Sequence, residues 1–373
     1  MSGVRGRWRD FDLFLLLTTF VMIGFSSVAV WSAAGTGPLT FSNAGVKQAI
    51  FGLLGIFLML LIACIDYRFF ASLAWPIYAG GLVLLALVLV PGVGQVIAGS
   101  RRWFDFGFTT VQPSEFVKVT TLIALAAFVA SRGEAMREPG NFALSLLIVA
   151  VPFMLVFEQP DLGTSLVYGI IWASIMALAR THKRYFVLLA IATPFVLIGA
   201  WVKLLDEYQH RRFLIFLDPD ADQLGEAFNI IQARISIGAG GFFGAGLAGG
   251  TQSQQNLLSV RTSDFIFAHA SGMFGFIGML ALFSSFVILI WRSLRVVELA
   301  RDDFGRCIAA AVTGVILFQA FVNIGMNLGL MPVTGITLPF VSSGLSSVWT
   351  FLIAQGILQS ILMRRRKLGF QPS

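Results

Sequence analysis

Asp264 is the residue of this sequence that is best placed to do chemistry. It ends a polar, glycine-rich stretch, residues 203–264, and an apolar run follows it directly. A carboxylate where water meets lipid is costly unless it serves a function. Desolvation would raise its pKa and suit it to proton abstraction, whereas a neighbouring arginine would lower that pKa. A cap on the following helix is the alternative role of Asp264.

Arginines and other polar side chains elsewhere in the chain could hold an anionic ligand. They lie in polar segments between apolar runs, and the guanidinium fork matches phosphate oxygens geometrically. Contacts with lipid headgroups are the alternative role. The predicted substrate-binding residues of this group are Arg102, Trp103, Arg211, Arg212 and Gln232.

Three further charged residues lie at the edges of apolar runs. Glu115 and Lys118 stand three residues apart, which places them on one helix face and within reach of each other. Lys118 could contribute to a positive surface for the ligand, or the two could form a structural ion pair. Asp161 follows Pro160 at a turn, where it could bind substrate or cap the next helix.

Other kinds of site find little support in the sequence. His182, His210 and His269 lack metal-ligand spacing, and Cys64 and Cys307 lie in or beside separate apolar runs. No nucleophile and base pair for hydrolysis is recognisable. We therefore predict no metal site in the protein itself.

The elements that position these residues are membrane spans. The 373 residues are 57% apolar and 12% charged, with a mean hydropathy of +0.83, which is typical of a polytopic membrane protein. We predict an all-α fold of about ten transmembrane helices. The apolar runs are 12–33, 46–65, 69–90, 114–131, 142–158, 162–179, 185–202, 265–291, 307–330 and 340–363.

The distribution of basic residues predicts the orientation. Most of the 26 lysines and arginines fall on the side of the termini, so the positive-inside rule places both termini in the cytoplasm. The long loop 203–264, between the seventh and eighth helices, is then extracellular. Topology also accounts for most of the net charge of +7, which excludes nucleic acid as an expected partner.

We predict one integral membrane domain, residues 1–373, that includes the loop 203–264. Within it, segments 91–113 and 329–339 are too polar or too rich in proline and glycine for regular spans. Residues 228–247 are apolar enough to lie along the membrane surface or to re-enter it. Broken backbone at membrane depth lines a wet cavity or is buried in protein. A cavity that faces outward is therefore expected.

Taken in order, these motifs resemble the SEDS family of bacterial membrane proteins, which contains RodA, FtsW and SpoVE. The resemblance extends over nearly the whole length and is closest to RodA. The matching residues are Gly99, Ser100, Arg102, Trp103; Gln112 to Glu115 and Lys118; Gln159 to Gly163; Tyr208, Gln209, Arg212; Phe216 to Pro219; Gly238 to Gly241; Ser263 to Ala268; and Asn323 to Gly325, Pro332, Thr334, Gly335 and Pro339.

The resemblance implies a peptidoglycan glycosyltransferase that polymerises lipid II at the outer face of the cytoplasmic membrane, for cell elongation and shape. Asp264 matches the family's essential aspartate and would be the base. Arg102, Lys118 and Arg211 or Arg212, with Mg²⁺ or Mn²⁺ as a candidate cofactor, would stabilise the polyprenyl pyrophosphate that leaves. The implied partners are a class B penicillin-binding protein, which is a transpeptidase, and membrane lipids.

The sequence also departs from the family pattern near Asp264. Ser259 and Val260 replace the usual residues before the aspartate, Gly272 and Met273 replace a pair of glutamates, and Ser343 and Leu345 alter a serine-rich motif. Two alternative functions therefore stay open. One is a flippase or transporter of the lipid-linked precursor, and the other is a catalytically weak scaffold of the cell-wall synthesis complex.

Overall fold

The computed structural model describes residues 8–97, 99–203, 207–218, 227–247 and 261–365. Ser259 and Val260, which depart from the family pattern, and Pro219, which matches it, lie outside these ranges, as does the side chain of Tyr208. The described helices are α1 Leu13–Ala33, α2 Ala44–Cys64, α3 Tyr67–Ser72, α4 Ala74–Leu89, α5 Pro113–Arg132, α6 Pro139–Phe157, α7 Leu162–Met176, α8 Lys183–Lys203, α9 Glu207–Leu217, α10 Ala227–Ala239, α11 Ile266–Leu299, α12 Asp303–Leu328 and α13 Leu345–Met363.

Nine of the ten predicted apolar runs each overlap one helix and the run 69–90 overlaps α3 and α4, so the polytopic helical class is confirmed. In the described part of the chain, α1, α2, α5, α6, α11, α12 and α13 are long and apolar enough to cross a membrane. The apolar helices α4 and α7 are shorter. Helix starts follow local chemistry: Asp12, Asn43 and Asp302 each accept a backbone N–H of the first turn.

The helix bundle has two ends. At the terminal end, the start of α1 meets the end of α13, where Asp12 and Gln359 exchange two hydrogen bonds of 2.9 and 2.8 Å. At the loop end, the turn before α11 meets the segment before α13 through the Ser342 hydroxyl, which donates to the Ser263 carbonyl at 2.7 Å. Every predicted site residue lies towards the loop end or in α9 and α10.

Helices α5, α12 and α13 form the centre of the bundle. Most of their residues are buried, and α13 packs along α2 and against α5. Gly55 allows the close approach of α2 to α13, since a Cβ there would overlap the Leu352 side chain. The central helices carry residues 113–118, 323–327 and 346–347 to the loop end, and the site is built on this rigid frame.

A small antiparallel sheet interrupts the helices in segment 91–113. Its strands β1 Gln95–Ile97, β2 Ser100–Asp105 and β3 Thr110–Val111 lie in the order β1-β2-β3, with Val96 opposite Arg101 and Phe104 opposite Val111. A polar break was predicted here, but no strand was. Since β2 carries Arg102 and Trp103, the sheet fixes the direction in which these side chains leave the backbone.

The predicted loop 203–264 is largely helical where it is described. Helix α10 packs against α11 and α12, and residues 240–246 follow it. These residues hydrogen-bond a break in α11 at Gly275, whose φ of 64° and ψ of −167° are non-helical. The Ala245 N–H donates to Gly272 O at 2.9 Å, and the Phe276 N–H donates to Gly241 O at 2.9 Å. The broken helix therefore recovers its lost backbone hydrogen bonds from this turn.

Gly275→Ala is expected to lower the melting temperature of the purified protein. A side chain at this φ and ψ costs about 1–3 kcal/mol, and a Cβ would also overlap the backbone of Phe242 and Gly244. Gly24→Ala is the matched control, because Gly24 lies in a helix and a Cβ there meets nothing within 4 Å. Thermal unfolding in detergent measures both variants, and equal melting temperatures would show that the break in α11 carries no strain.

Candidate functional site

The backbone of Asp264 is fixed from two sides. Its carbonyl accepts hydrogen bonds from the side-chain amides of Asn323 and Asn327, at 3.2 and 3.0 Å. In the same turn, the Ser343 N–H donates to Thr262 O at 2.8 Å. The turn is thus tied both to α12 and to the segment before α13.

The Asp264 side chain does not cap α11. The N-cap position is Phe265, and no side chain accepts from the first turn of that helix. The alternative role of Asp264 as a helix cap is therefore wrong. The carboxylate is left beside Gly335, in the broken segment 329–339.

Burial raises the pKa of Asp264 above the ordinary value of an aspartate. A hydrogen bond from Ser263 and the positive charges of Arg212 and Arg102 lower this pKa, and the negative charge of Asp161 raises it, but burial is the largest effect. The sequence could not decide between desolvation and a neighbouring arginine. In the structure both effects are present, and desolvation is the larger, so the pKa of Asp264 is raised. A carboxylate with a raised pKa takes up a proton readily.

Arg102 and Asp161 form an ion pair beside Asp264. The Arg102 Nη1 lies 2.9 Å from Asp161 Oδ2, and Gln112 Nε2 donates to the same oxygen at 3.1 Å. The guanidinium also lies 4.6 Å from the centre of the Trp103 ring. Asp161 accepts the Thr164 N–H as well, so its predicted role as the cap of α7 is confirmed. Gln112 had no predicted role beyond its place in the motif.

Arg212 reaches the site from α9. Its Nη1 donates to the Val333 carbonyl at 3.1 Å, which joins α9 to the broken segment. Arg211, which precedes Arg212 in the sequence, is exposed on α9. Thus Arg212 lies close enough to affect Asp264, and Arg211 is exposed.

Several buried polar atoms in this region have no hydrogen-bond partner within the described part of the chain. They belong to side chains of the broken segment, α10 and β2, namely Thr334 Oγ1, Gln232 Oε1 and Arg102 Nε. A buried polar atom without a partner is unfavourable unless water or a ligand satisfies it. The loop end therefore offers one acceptor and two groups able to donate to a polar ligand.

Glu115 and Lys118 form a salt bridge inside the bundle. Lys118 Nζ lies 2.8 Å from Glu115 Oε1, and the two side chains are 2% and 5% exposed. The predicted shared helix face is confirmed. The ammonium group is enclosed by Glu115 and by the Phe351 ring, whose centre is 5.8 Å away. Lys118 does not contribute to the exposed surface of the loop end, because its charge is directed to Glu115.

The departures from the family pattern do not share one location. The Gly272 and Met273 carbonyls accept hydrogen bonds from residues 245 and 246, so they belong to the break in α11. With a rise of about 1.5 Å per residue, Gly272 lies roughly 9 Å along α11 from its first residue. Ser343, by contrast, holds the turn that carries Asp264.

The roles of Asn323, Asn327 and Ser346 were not predicted from the sequence. The Ser346 hydroxyl accepts the Gln112 N–H at 2.8 Å, and Thr337 and Ser347 share a hydrogen bond of 2.9 Å. The spacing of Asn323 and Asn327 was a usable signal, since two amides four residues apart share one helix face. Two amides on one face of an apolar helix indicate a common polar contact.

Known proteins resemble this chain over most of its length. Residues 8–367 match the family model of the cell cycle protein family of FtsW, RodA and SpoVE. The peptidoglycan glycosyltransferase MrdB of Escherichia coli K12 is 33% identical, with 96% of this chain and 95% of that protein covered. Stage V sporulation protein E of Bacillus subtilis is 34% identical, with 94% and 96% covered.

Solved structures share the fold. A chain from a structure described as the coordination of polymerization and crosslinking by a peptidoglycan synthase complex superposes with a TM-score of 0.81 at 30% identity, covering 98% of this chain and all of the other. The Rod shape determining protein RodA of Thermus thermophilus superposes with a TM-score of 0.71 at 26% identity, covering 96% and 99%. The predicted family is confirmed: this chain belongs to the FtsW, RodA and SpoVE family of cell cycle proteins.

Proposed function

We propose that this chain is an inverting peptidoglycan glycosyltransferase that polymerises lipid II into glycan strands. The observation that carries the proposal is the placement of Asp264, whose pKa burial raises, in the electrostatic reach of Arg102 and Arg212. A base and cations at one place suit the transfer of a sugar from a pyrophosphate leaving group. Family membership and the names of the relatives support this enzyme class.

In the proposed reaction, the acceptor sugar's 4-hydroxyl attacks the anomeric carbon of the lipid-linked donor. The new C–O bond forms as the bond to the pyrophosphate oxygen breaks, with inversion at the anomeric carbon. Asp264 takes the hydroxyl proton, and the polyprenyl pyrophosphate leaves with the bonding electrons. A general acid is unnecessary, because the pyrophosphate is a good leaving group as an anion.

The proposed roles of the other residues follow from their contacts. Arg102 and Arg212 stabilise the charge that develops on the pyrophosphate, while Asp161 and Trp103 hold the Arg102 guanidinium in place. The buried Oε1 of Gln232, which has no hydrogen-bond partner among the described residues, accepts a hydrogen bond from the sugar or the peptide of the substrate. Arg211, Glu115 and Lys118 are the remaining predicted substrate-binding residues. For Lys118 to contact a ligand directly, its pair with Glu115 would have to open.

A divalent cation, Mg²⁺ or Mn²⁺, was the one candidate cofactor. Among the described residues, no group of three or more His, Cys, Asp and Glu side chains could hold a metal ion. At the loop end, Asp161 is committed to Arg102 and Gln112. The residues in the described ranges therefore do not fit a preformed metal centre.

The proposed setting is the cytoplasmic membrane of a bacterium, with both termini in the cytoplasm and the loop end outside. The bias of basic residues towards the terminal end supports this orientation. In this setting the whole chain acts as one integral domain that includes the predicted loop 203–264. A class B penicillin-binding protein would be the partner that crosslinks the strands, and a role in cell elongation and shape fits the resemblance to RodA.

The experiment that tests the proposal supplies lipid II to the purified protein, alone and with its penicillin-binding partner. Glycan strands resolved on a gel are the expected product. If vesicles containing the protein move labelled lipid II across the bilayer and no glycan forms, the chain is a flippase. Absence of both activities, with cell shape restored in a deletion strain by an Asp264→Ala chain, would instead indicate a scaffold.

Arg212→Gln is expected to shift the acid limb of the pH–rate profile to higher pH. The proposed base works only when ionised, so the rate falls as the pH drops through the pKa of Asp264. Removing a positive charge that lowers this pKa raises it further. Polymerisation measured from acidic to alkaline pH tests this, with Arg211→Gln as the control that removes the neighbouring charge. If the acid limb had the same position in both variants and the wild type, the expected effect of the Arg212 charge on the pKa of Asp264 would be contradicted.

A further inference from the structure

A charged pocket lies at the terminal end of the bundle, where the start of α1 meets the ends of α11 and α13. Its volume is about 180 Å³, and it is far along the helices from Asp264. Four arginines and two aspartates line it, which leaves an excess of two positive charges. These residues are Arg9, Asp10, Asp12, Arg292, Arg295 and Arg365.

Two of the arginines form the fixed walls of this terminal pocket. The Arg292 Nε donates to Asp12 Oδ2 at 2.7 Å, and Asp12 is itself buried at the start of α1. Arg365 Nη2 lies 2.7 Å from Asp10 Oδ1. Each of the two aspartates of the pocket is thereby paired with an arginine. The walls are held in place before any ligand arrives.

The other two arginines supply the unbalanced charge. Within the described residues, neither Arg9 nor Arg295 forms an ion pair with a carboxylate, although Arg295 lies 5.6 Å from the centre of the Trp291 ring. Two guanidinium groups that face a common cavity without a counter-ion favour the binding of an anion. The site has the charge for a phosphate group.

The surface that surrounds the pocket is apolar and faces the lipid. Phe14 and Leu17 on α1 and Trp291 and Leu294 on α11 are at least half exposed. The Arg292 guanidinium lies 5.2 Å from the centre of the Phe14 ring. Helix α1 begins directly after Asp12, so the pocket lies at the depth where a membrane helix meets the headgroup layer. A ligand in this pocket has exposed apolar side chains beside it for acyl chains.

We infer that the terminal pocket binds the phosphodiester headgroup of an anionic phospholipid such as phosphatidylglycerol. The phosphate lies between Arg9 and Arg295, and the acyl chains lie on the exposed faces of α1 and α11. Basic pockets between transmembrane helices at the cytoplasmic side have the chemistry for such lipids. A soluble phosphate would use the same cations but would gain nothing from the apolar surface. The inference is independent of the proposed glycosyltransferase activity, because binding needs no substrate.

Native mass spectrometry of the full-length protein in detergent tests this inference. Delipidated protein is titrated with phosphatidylglycerol, with phosphatidylcholine and with inorganic phosphate. We expect retention of one phosphatidylglycerol. Its affinity should fall about fivefold in Arg295→Gln and roughly twentyfold in the Arg9→Gln and Arg295→Gln double variant. Arg295 is on the surface of α11, so these variants should keep the melting temperature of the wild type.

Arg301→Gln is the matched control, because Arg301 is exposed at the same end of the bundle but does not line the pocket. An equal loss of affinity in this variant would overturn the inference in favour of a diffuse positive surface. If phosphatidylcholine were retained as well as phosphatidylglycerol, the lipid would be held by apolar contacts alone. Competition by inorganic phosphate at the same concentration as the lipid would show a site for soluble anions. Should the double variant unfold, Arg295→Lys, which keeps the charge, must bind more tightly than Arg295→Gln.

Discussion

Asp264→Ala is expected to lower glycan polymerisation by about a thousandfold, the middle of the range for loss of a positioned general base. The loss follows from the proposed mechanism, in which Asp264 takes the hydroxyl proton. Among the described residues, Asp161 is the other acid that affects Asp264, and it is occupied by Arg102 and Gln112. The rate of lipid II consumption by purified wild-type and variant protein, each with its penicillin-binding partner, measures the effect.

The same substitution should leave the fold intact. Because burial raises the pKa of Asp264, the folded protein binds this proton more tightly than the unfolded chain does. That stabilisation is present at acidic pH and is lost as the pH rises through the raised pKa, so the ionised carboxylate opposes folding at neutral pH. The melting temperature of Asp264→Ala or Asp264→Asn should therefore equal or exceed that of the wild type at neutral pH.

Asp105→Asn is the matched control for this prediction, since Asp105 is an exposed carboxylate at the loop end whose contact is the nearby Gly107 N–H. It should polymerise lipid II at the wild-type rate. If Asp264→Ala made strands as fast as this control, Asp264 would not be the base. If Asp264→Ala unfolded, the lost activity would carry no information about chemistry, and Asp264→Asn would take its place.

The helices were predictable because the membrane fixes their length and composition. A span needs about 20 apolar residues, so the ten runs were recognisable without any knowledge of tertiary contacts. The break at 329–339 was also predictable, because proline and glycine act locally on the backbone. The sheet was not predicted. Strands of three, six and two residues are too short to establish an alternating pattern, and pairing between them supplies most of their stability.

The charged residues of the candidate site were predictable from the sequence. The residues that hold them in place were less predictable. Asp264, Arg102 and Arg212 stood out because charges are rare near lipid. Apart from Asp161, which pairs with Arg102, the groups that hold them are neutral, and several of their contacts join distant parts of the chain. Asn327 and Asp264, for example, are 63 residues apart in sequence. The burial of Lys118 was equally hidden, since composition places a lysine in a helix but does not say whether its ammonium faces a cavity or a partner.

Lys118→Met is expected to destabilise the protein by about 3–5 kcal/mol, the usual cost of leaving one buried charge without its partner. Glu115 is almost fully buried, and its Oε2 accepts no hydrogen bond from any residue in the described ranges. Without Lys118, the carboxylate would lose the hydrogen bond to its other oxygen as well. The melting temperature and the yield of folded protein in detergent measure the effect, with Lys47→Met, which changes an exposed lysine at the loop end, as the control.

The double variant Glu115→Gln with Lys118→Met separates the two roles that the sequence left open for this pair. Replacing both charges removes the unpaired carboxylate, so the double variant should recover most of the melting temperature lost in Lys118→Met. Because Lys118 is enclosed by Glu115 and Phe351, we expect polymerisation to recover with it, as a structural ion pair requires. A double variant that folds like the wild type but polymerises lipid II at least about tenfold more slowly would contradict that expectation. The pair would then have to open during the reaction, so that the ammonium group could reach the pyrophosphate.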